Sequence, residues 1–251
     1  MKKLTHILAV LKKNKPLLVF GLMAWIYVCF ELAQYLIFPV VYFTDFIGLP
    51  LRSLNQALLQ TILAAFVYLM TILLVIGIPK LVHKTKISLS ELGLNRMPTW
   101  MDIILAPAGF VIYLIISVVL SMMATTFLPW FNSNQAQDVG FTGLNFGYEY
   151  VLAFITLVII APVAEEILFR GYLLGKLVKI VPIWVAILST SLLFGFIHGA
   201  WNLALDTFAL SVILSLLRIR TGSLWTPILI HMTKNAIAFY ILFINTSILL
   251  Q

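Results

Sequence analysis

The fold class this sequence predicts is all-α and polytopic: about seven to eight transmembrane helices enclosing a polar cavity open toward the cytoplasm. Three observations predict it. Of 251 residues, 62% are hydrophobic and 10% are charged, where a soluble domain carries roughly 25% charged residues. Mean hydropathy is +1.08, and apolar runs near the ~20 residues that a bilayer requires recur along the chain. Finally, the basic residues sit in the short connections between those runs.

The first fifteen residues hold Lys2, Lys3, Lys12, Lys13 and Lys15 around a very short apolar stretch with no small-residue cleavage site. They read as a basic interfacial helix leading into the first span, not as a signal peptide. Spans are expected at about 17–39, 56–79, 102–129, 150–177, 182–200, 203–217 and 223–248. The sixth is short, and the fourth is long enough to protrude. With the amino terminus inside, Lys80, Lys84, Lys86, Arg96, Arg170, Lys176, Lys179, Arg218 and Arg220 join the first five lysines on the cytoplasmic side. That is fourteen of the sixteen Lys and Arg; only Arg52 lies outside, and Lys234 falls within the last span.

The net charge of +7 is therefore topogenic and faces anionic lipid; no nucleic-acid partner is expected. The single cysteine, Cys29, has no internal disulfide partner and no neighbouring base, and reads as packing. There are no repeats or low-complexity tracts. One integral membrane domain spans 1–251, with amino-terminal helices over 1–149 and a core over 150–240.

That core holds ionisable groups that hydrocarbon penalises, by about 2.5 to 3.5 kcal/mol per carboxylate on insertion scales. Glu165 and Glu166 stand side by side. Glu166 and Arg170 are at i, i+4, on one helix face, whereas Glu165 points about 100° away. His198 closes the run Phe194-Gly-Phe-Ile-His198, and His231 and Asn235 are again at i, i+4. A tight turn at Ile180-Val181-Pro182 makes the fourth and fifth spans antiparallel, with Glu165 and His198 both roughly 22–24 Å from it. His231 and Asn235 lie about 12–18 Å beyond the Thr221-Gly222 turn. One cavity opening toward the cytoplasm accommodates all of them, and Ala161, Ala164, Gly171, Gly195, Gly199 and Ala200 allow close helix approach. Any one group alone is as well explained by an interhelical hydrogen bond or a structural ion pair. Asp206 reads as structural, near Arg218; Glu31 lines the cavity or pairs with Lys234; Phe194 reads as packing, and His6 and His83 as loop or interface residues.

Glu165-Glu166-x-x-x-Arg170, Phe194-x-x-x-His198 and His231-x-x-x-Asn235, in that order on three membrane helices, resemble the three motifs of the CAAX protease and bacteriocin-processing (abortive infection) family of intramembrane endopeptidases. The resemblance covers about residues 150–240. It implies a peptide hydrolase acting near the cytoplasmic membrane face, with Glu165 the base that activates water and His198 sharing that water. His231 and Asn235 would stabilise the oxyanion, and Glu166 and Arg170 would position the site. A peptide or membrane-associated protein is the implied substrate. Bacteriocin or small-peptide processing, or self-immunity, is the implied role in a multi-pass bacterial cell-membrane protein. No cofactor is favoured. The alternative is zinc held by Glu165, His198 and His231, although no His-Glu-x-x-His pattern is present. Two rivals from other classes use the same residues: a carrier or proton relay that also employs Lys234, and a non-catalytic immunity or scaffold protein.

Overall fold

The computed structural model describes residues 14–83, 87–133, 135, 139–141 and 143–245. The expected amino-terminal interfacial helix lies outside the described residues. Among the described residues there are helices and no strands, and six helices are long and apolar enough to cross a membrane.

Helix α1, Lys15–Phe46, starts at Asn14, whose side chain accepts from the Leu17 amide at 3.2 Å, with Pro16 in the first turn. It is interrupted at Leu36, because Pro39 has no N–H for the Tyr35 carbonyl. Helix α2, Gln56–Val82, is capped by Asn55 on the Ala57 amide at 2.9 Å. The short helix α3, Leu89–Leu92, carries a Ser88/Glu91 capping box and ends on Gly93 at φ +80°. Helix α4, Trp100–Phe127, starts on a Thr99/Asp102 box. Helix α5, Gly147–Leu177, starts where Glu149 accepts from the Asn145 and Phe146 amides at 2.6 and 3.0 Å.

Beyond the Val178–Pro182 turn, α6 runs over Ile183–Phe196, α7 over Trp201–Thr221 and α8 over Trp225–Ile244. Here the span lengths expected from the sequence need correction. The short helix is the fifth, not the sixth: α6 has 14 residues, about 21 Å, less than a bilayer core. It stops where Gly199 adopts φ +75° immediately after His198, which turns the chain into α7. The sixth reaches 21 residues because Asn202 and Asp206, which lower its apparent hydropathy, are accommodated within the helix.

Close packing fixes these elements. A Cβ at Gly195 would come within 2.6 Å of the Ala204 carbonyl oxygen, so α6 and α7 meet backbone to backbone. At Gly109 a Cβ would meet Leu217 and Ile230 side chains at 2.6 and 2.7 Å, which seats α4 between α7 and α8. The basic end is tied by backbone and side-chain bonds: the Leu224 amide donates to Gly93 O at 2.9 Å and Arg218 to Glu91 O at 3.1 Å. Cys29 is buried among packing residues of α1, α2, α5 and α6. The outer faces of α1 and α4 expose large apolar side chains such as Phe38, Ile104, Ile115 and Met122, the surface a bilayer covers.

Candidate active site

Helix α5 reaches the site through two distortions. A π-helical segment Ile155–Ile160 and another at Ile167–Leu173 bracket one α-helical stretch, Ala161–Glu166. π-Segments widen the helix and recur at functional sites. Pro162 gives the first one a cause. It lacks an N–H, and in an i→i+5 pattern the carbonyl left without its donor is Leu157's. Asn235 of α8 fills the gap, its Nδ2 donating to Leu157 O at 2.8 Å. The third motif is thus fastened to the first by a bond that the backbone defect requires.

The two carboxylates diverge. Glu166 is fully buried, and its Oε1 accepts from Arg170 Nη1 and lies against His231 Nδ1, each at 2.8 Å. Glu165 is turned to the cavity, with its side chain 14% exposed. Its Oε1 accepts the Tyr68 hydroxyl at 2.6 Å, and its Oε2 is 3.7 Å from His231 Nε2. His198 Nδ1 is 2.6 Å from Phe194 O.

Carbonyl and carboxylate oxygens only accept, so both imidazoles carry a proton on Nδ1 and direct Nε2 elsewhere. Phe194 sits between them, edge-on to His198 and His231 at 4.9 and 5.8 Å, and the Arg170 guanidinium lies 4.3 Å from its centroid. It packs, as the sequence suggests, and it also fixes both histidine rings.

Two cavities meet at Tyr68, Glu165 and His198. One, of about 210 Å³, lies among α1, α2, α5 and α6, with Tyr27, Phe30 and Thr71 in its wall. The other, of about 250 Å³, is lined by Leu157, Thr207, His231, Lys234 and Asn235 as well. The structure therefore gathers Glu165, His198, His231 and Asn235 around one space, while Glu166 and Arg170 stand behind it. The second cavity extends to Val139, Leu242 and Phe243. That is the end of the bundle opposite the basic turns.

Other assignments change as well. Asp206 is not near Arg218, which lies twelve residues along the same helix, about 18 Å away. Its Oδ1 accepts hydroxyls from Tyr113 and Ser117 at 2.7 and 2.6 Å, and Lys234 Nζ is 3.5 Å from its Oδ2. Lys234 thereby pairs with Asp206 and not with Glu31, which lines neither cavity. Tyr68 escapes the sequence reading altogether. Its one signal is position: a tyrosine in the middle of a span lies far from the interfacial belts where tyrosine is usual. For the zinc alternative, no group of three His, Cys, Asp or Glu side chains is placed as a metal-ligand set among the described residues.

A polytopic helical membrane protein with paired glutamates and two histidines around an enclosed cavity is what the fold and site define. Comparison with known proteins bears out the resemblance to the CAAX protease family. Residues 147–237 match the family model described as type II CAAX prenyl endopeptidase Rce1-like. A membrane-embedded CAAX protease, MroQ, of Staphylococcus aureus is 26% identical over 231 residues, 89% of each chain. An uncharacterized 24.3 kDa protein of Escherichia coli is 37% identical over 94 residues, 36% of this chain and 43% of that one. A putative membrane peptidase, YdiL, of Bacillus subtilis is 32% identical over 77 residues, 31% of this chain and 32% of that one. The chain thus spans less than half the length of the latter two. No solved structure matches it significantly.

Proposed function

We propose that this protein is an intramembrane endopeptidase that hydrolyses peptide bonds by carboxylate-activated water. The observation that carries the proposal is the placement of Glu165. It is held by Tyr68 at 2.6 Å, faces His231 Nε2 at 3.7 Å and shares both cavities with His198.

A water between Glu165 and His198 Nε2 gives its proton to Glu165 as its oxygen attacks the scissile carbonyl carbon. The tetrahedral oxyanion is met by the Asn235 amide, whose second N–H is not used by Leu157, and by His231 Nε2–H when that ring is doubly protonated. In that form two carboxylates, Glu165 and Glu166, balance one guanidinium and one imidazolium, and the cluster carries no net charge. Collapse breaks the C–N bond and Glu165 returns its proton to the departing amine. Glu166 and Arg170 hold the His231 ring in place.

Substrates in this reading are membrane-associated peptides. A further apolar groove of about 760 Å³ between α1, α6 and α7 shares Tyr27 with the smaller cavity and would take apolar residues of the substrate. In this proposal the role is small-peptide processing or self-immunity, as the resemblance of the three motifs implies. The amino terminus is cytoplasmic in this proposal, from the distribution of Lys and Arg, and catalysis needs no metal.

The test is cleavage of a peptide library by the purified protein, as wild type, Glu165→Gln and His198→Ala, with and without a strong chelator. Expected are cleavage by wild type, a loss of about 10²- to 10⁴-fold in Glu165→Gln, and indifference to chelator. Chelator loss restored by zinc would overturn metal-free catalysis. Absence of any cleavage, with the variants still functional in cells, would overturn the peptidase reading in favour of a carrier or scaffold.

A further inference from the structure

Lys234 is the one lysine or arginine on the lining of the 250 Å³ cavity among the described residues. It lies one turn beyond His231 and beside Asn235, so it faces the same space as the oxyanion pair. Its partner is unusually prepared. Asp206 has one oxygen occupied by two hydroxyls, Tyr113 and Ser117, at 2.7 and 2.6 Å, which fixes the carboxylate on the α4 and α7 walls. The other oxygen is 3.5 Å from Lys234 Nζ, longer than the ~2.7–3.2 Å of an ordinary hydrogen bond. The ammonium is therefore tethered by charge, with no hydrogen bond from its three donors among the described residues. An ammonium with open donors in a membrane interior is costly, which a structural clamp would avoid by closing the distance.

We propose that Lys234 is a carboxylate-binding subsite for the peptide held at Glu165 and His198. A single negative charge suits it better than a phosphate dianion, because Asp206 already lies against the ammonium, Glu165 shares the cavity lining and no arginine does. The ligand is either the free carboxyl terminus of the peptide or an Asp or Glu side chain near the scissile bond; the chemistry of recognition is the same. Lys234 would thus set which peptides are held and in which register. That the ligand is a peptide rests on the peptidase reading.

Binding, not turnover, tests it, in the full-length Glu165→Gln protein in nanodiscs. Three probe pools of apolar octapeptides are compared: free acid, carboxyl-terminal amide, and amide with one internal Asp. Expected is retention of a carboxylate-bearing pool about tenfold or more above the plain amide, the scale of one charge-assisted hydrogen bond. The free-acid pool alone gaining identifies the terminus, and the Asp pool identifies a side chain. Lys234→Arg keeps the preference and Lys234→Met abolishes it. Because Lys234→Met leaves Asp206 unpaired, the Asp206→Asn/Lys234→Met protein, neutral at both positions, must lose the preference as well. Equal binding of acid and amide, binding of neither, or a preference that survives in the double variant reduces the pair to an interhelical clamp and overturns the proposal. A preference that follows Lys234 while wild type cleaves nothing overturns the peptidase reading alone.

Discussion

Asp102 and Glu166 are both buried carboxylates joined to an arginine, and they are built to opposite ends. At the basic end of α4, Asp102 receives Arg96 through both guanidinium nitrogens at 2.5 and 3.0 Å, the Thr99 amide and hydroxyl at 2.8 Å each, and the Thr226 hydroxyl at 2.9 Å. Both of its oxygens are occupied, and in return it raises the Arg96 guanidinium above its ordinary pKa through that hydrogen bond. Glu166 uses one oxygen for Arg170 and His231; its Oε2, with Arg170 Nε and Nη2, has no hydrogen-bond partner among the described residues. A saturated pair fastens helices. A pair with spare valence, coupled to an imidazole that faces a cavity, is an electrostatic support for chemistry, kept at a cost in stability.

The comparison breaks most visibly if Glu166 is neutralised. Glu166→Gln leaves the buried Arg170 guanidinium without its hydrogen-bonded carboxylate and puts a neutral amide oxygen where a charged acceptor held His231. We expect a destabilisation of about 3–5 kcal/mol together with at least a tenfold fall in turnover per folded molecule, measured by thermal unfolding and peptide cleavage side by side. Asp102→Asn should separate the two effects. Losing a charged partner of several buried donors costs about 1–3 kcal/mol, yet the site lies elsewhere, so turnover per folded molecule should be unchanged. Equal loss of turnover in both variants would erase the distinction between fastener and support.

Tyr68→Phe probes the cavity side of the same cluster. The lost hydroxyl donates to Glu165 at 2.6 Å, a hydrogen bond to a charged group worth about 1.5–3 kcal/mol. Its removal should lower turnover by about tenfold or less, with little change in unfolding temperature. Unchanged turnover would make Tyr68 a packing residue.

These residues also show what the chain discloses in advance. The spacing of Glu166 and Arg170 and the depth match of Glu165 with His198 are legible, because helical rise and turn position fix them locally. Three features are not. The π-segments shift the register of α5 within an unbroken apolar run, and Pro162 alone hints at one. The Tyr68–Glu165 bond joins positions 97 residues apart, and nothing in α2 marks its partner. Asp206 finds Tyr113 and Ser117 only because Gly109 lets α4 sit close to α7 and α8. Long-range pairing in a membrane bundle is decided by small residues and helix ends, whose signal in an apolar sequence is slight.

The smallest expected effect belongs to a third carboxylate, Glu91, at the same basic end as Asp102 but in solvent. It accepts from Lys179 at 2.9 Å and from the Ser88 amide at 3.3 Å, and these contacts, Lys179 foremost, hold its pKa below the ordinary carboxylate value. A depressed folded-state pKa contributes stability above the unfolded value, near 4.3, and that contribution disappears as pH falls through the lower folded value. The difference in unfolding temperature between wild type and Glu91→Gln should therefore be slight at pH 7, fade below about pH 4 and shrink with added salt, since exposed pairs are screened. Turnover should not change. A difference that survives acid and salt would show that Glu91 acts through the α3 capping box and the Arg218 contact to its backbone rather than through charge, placing it with Asp102 among the fasteners.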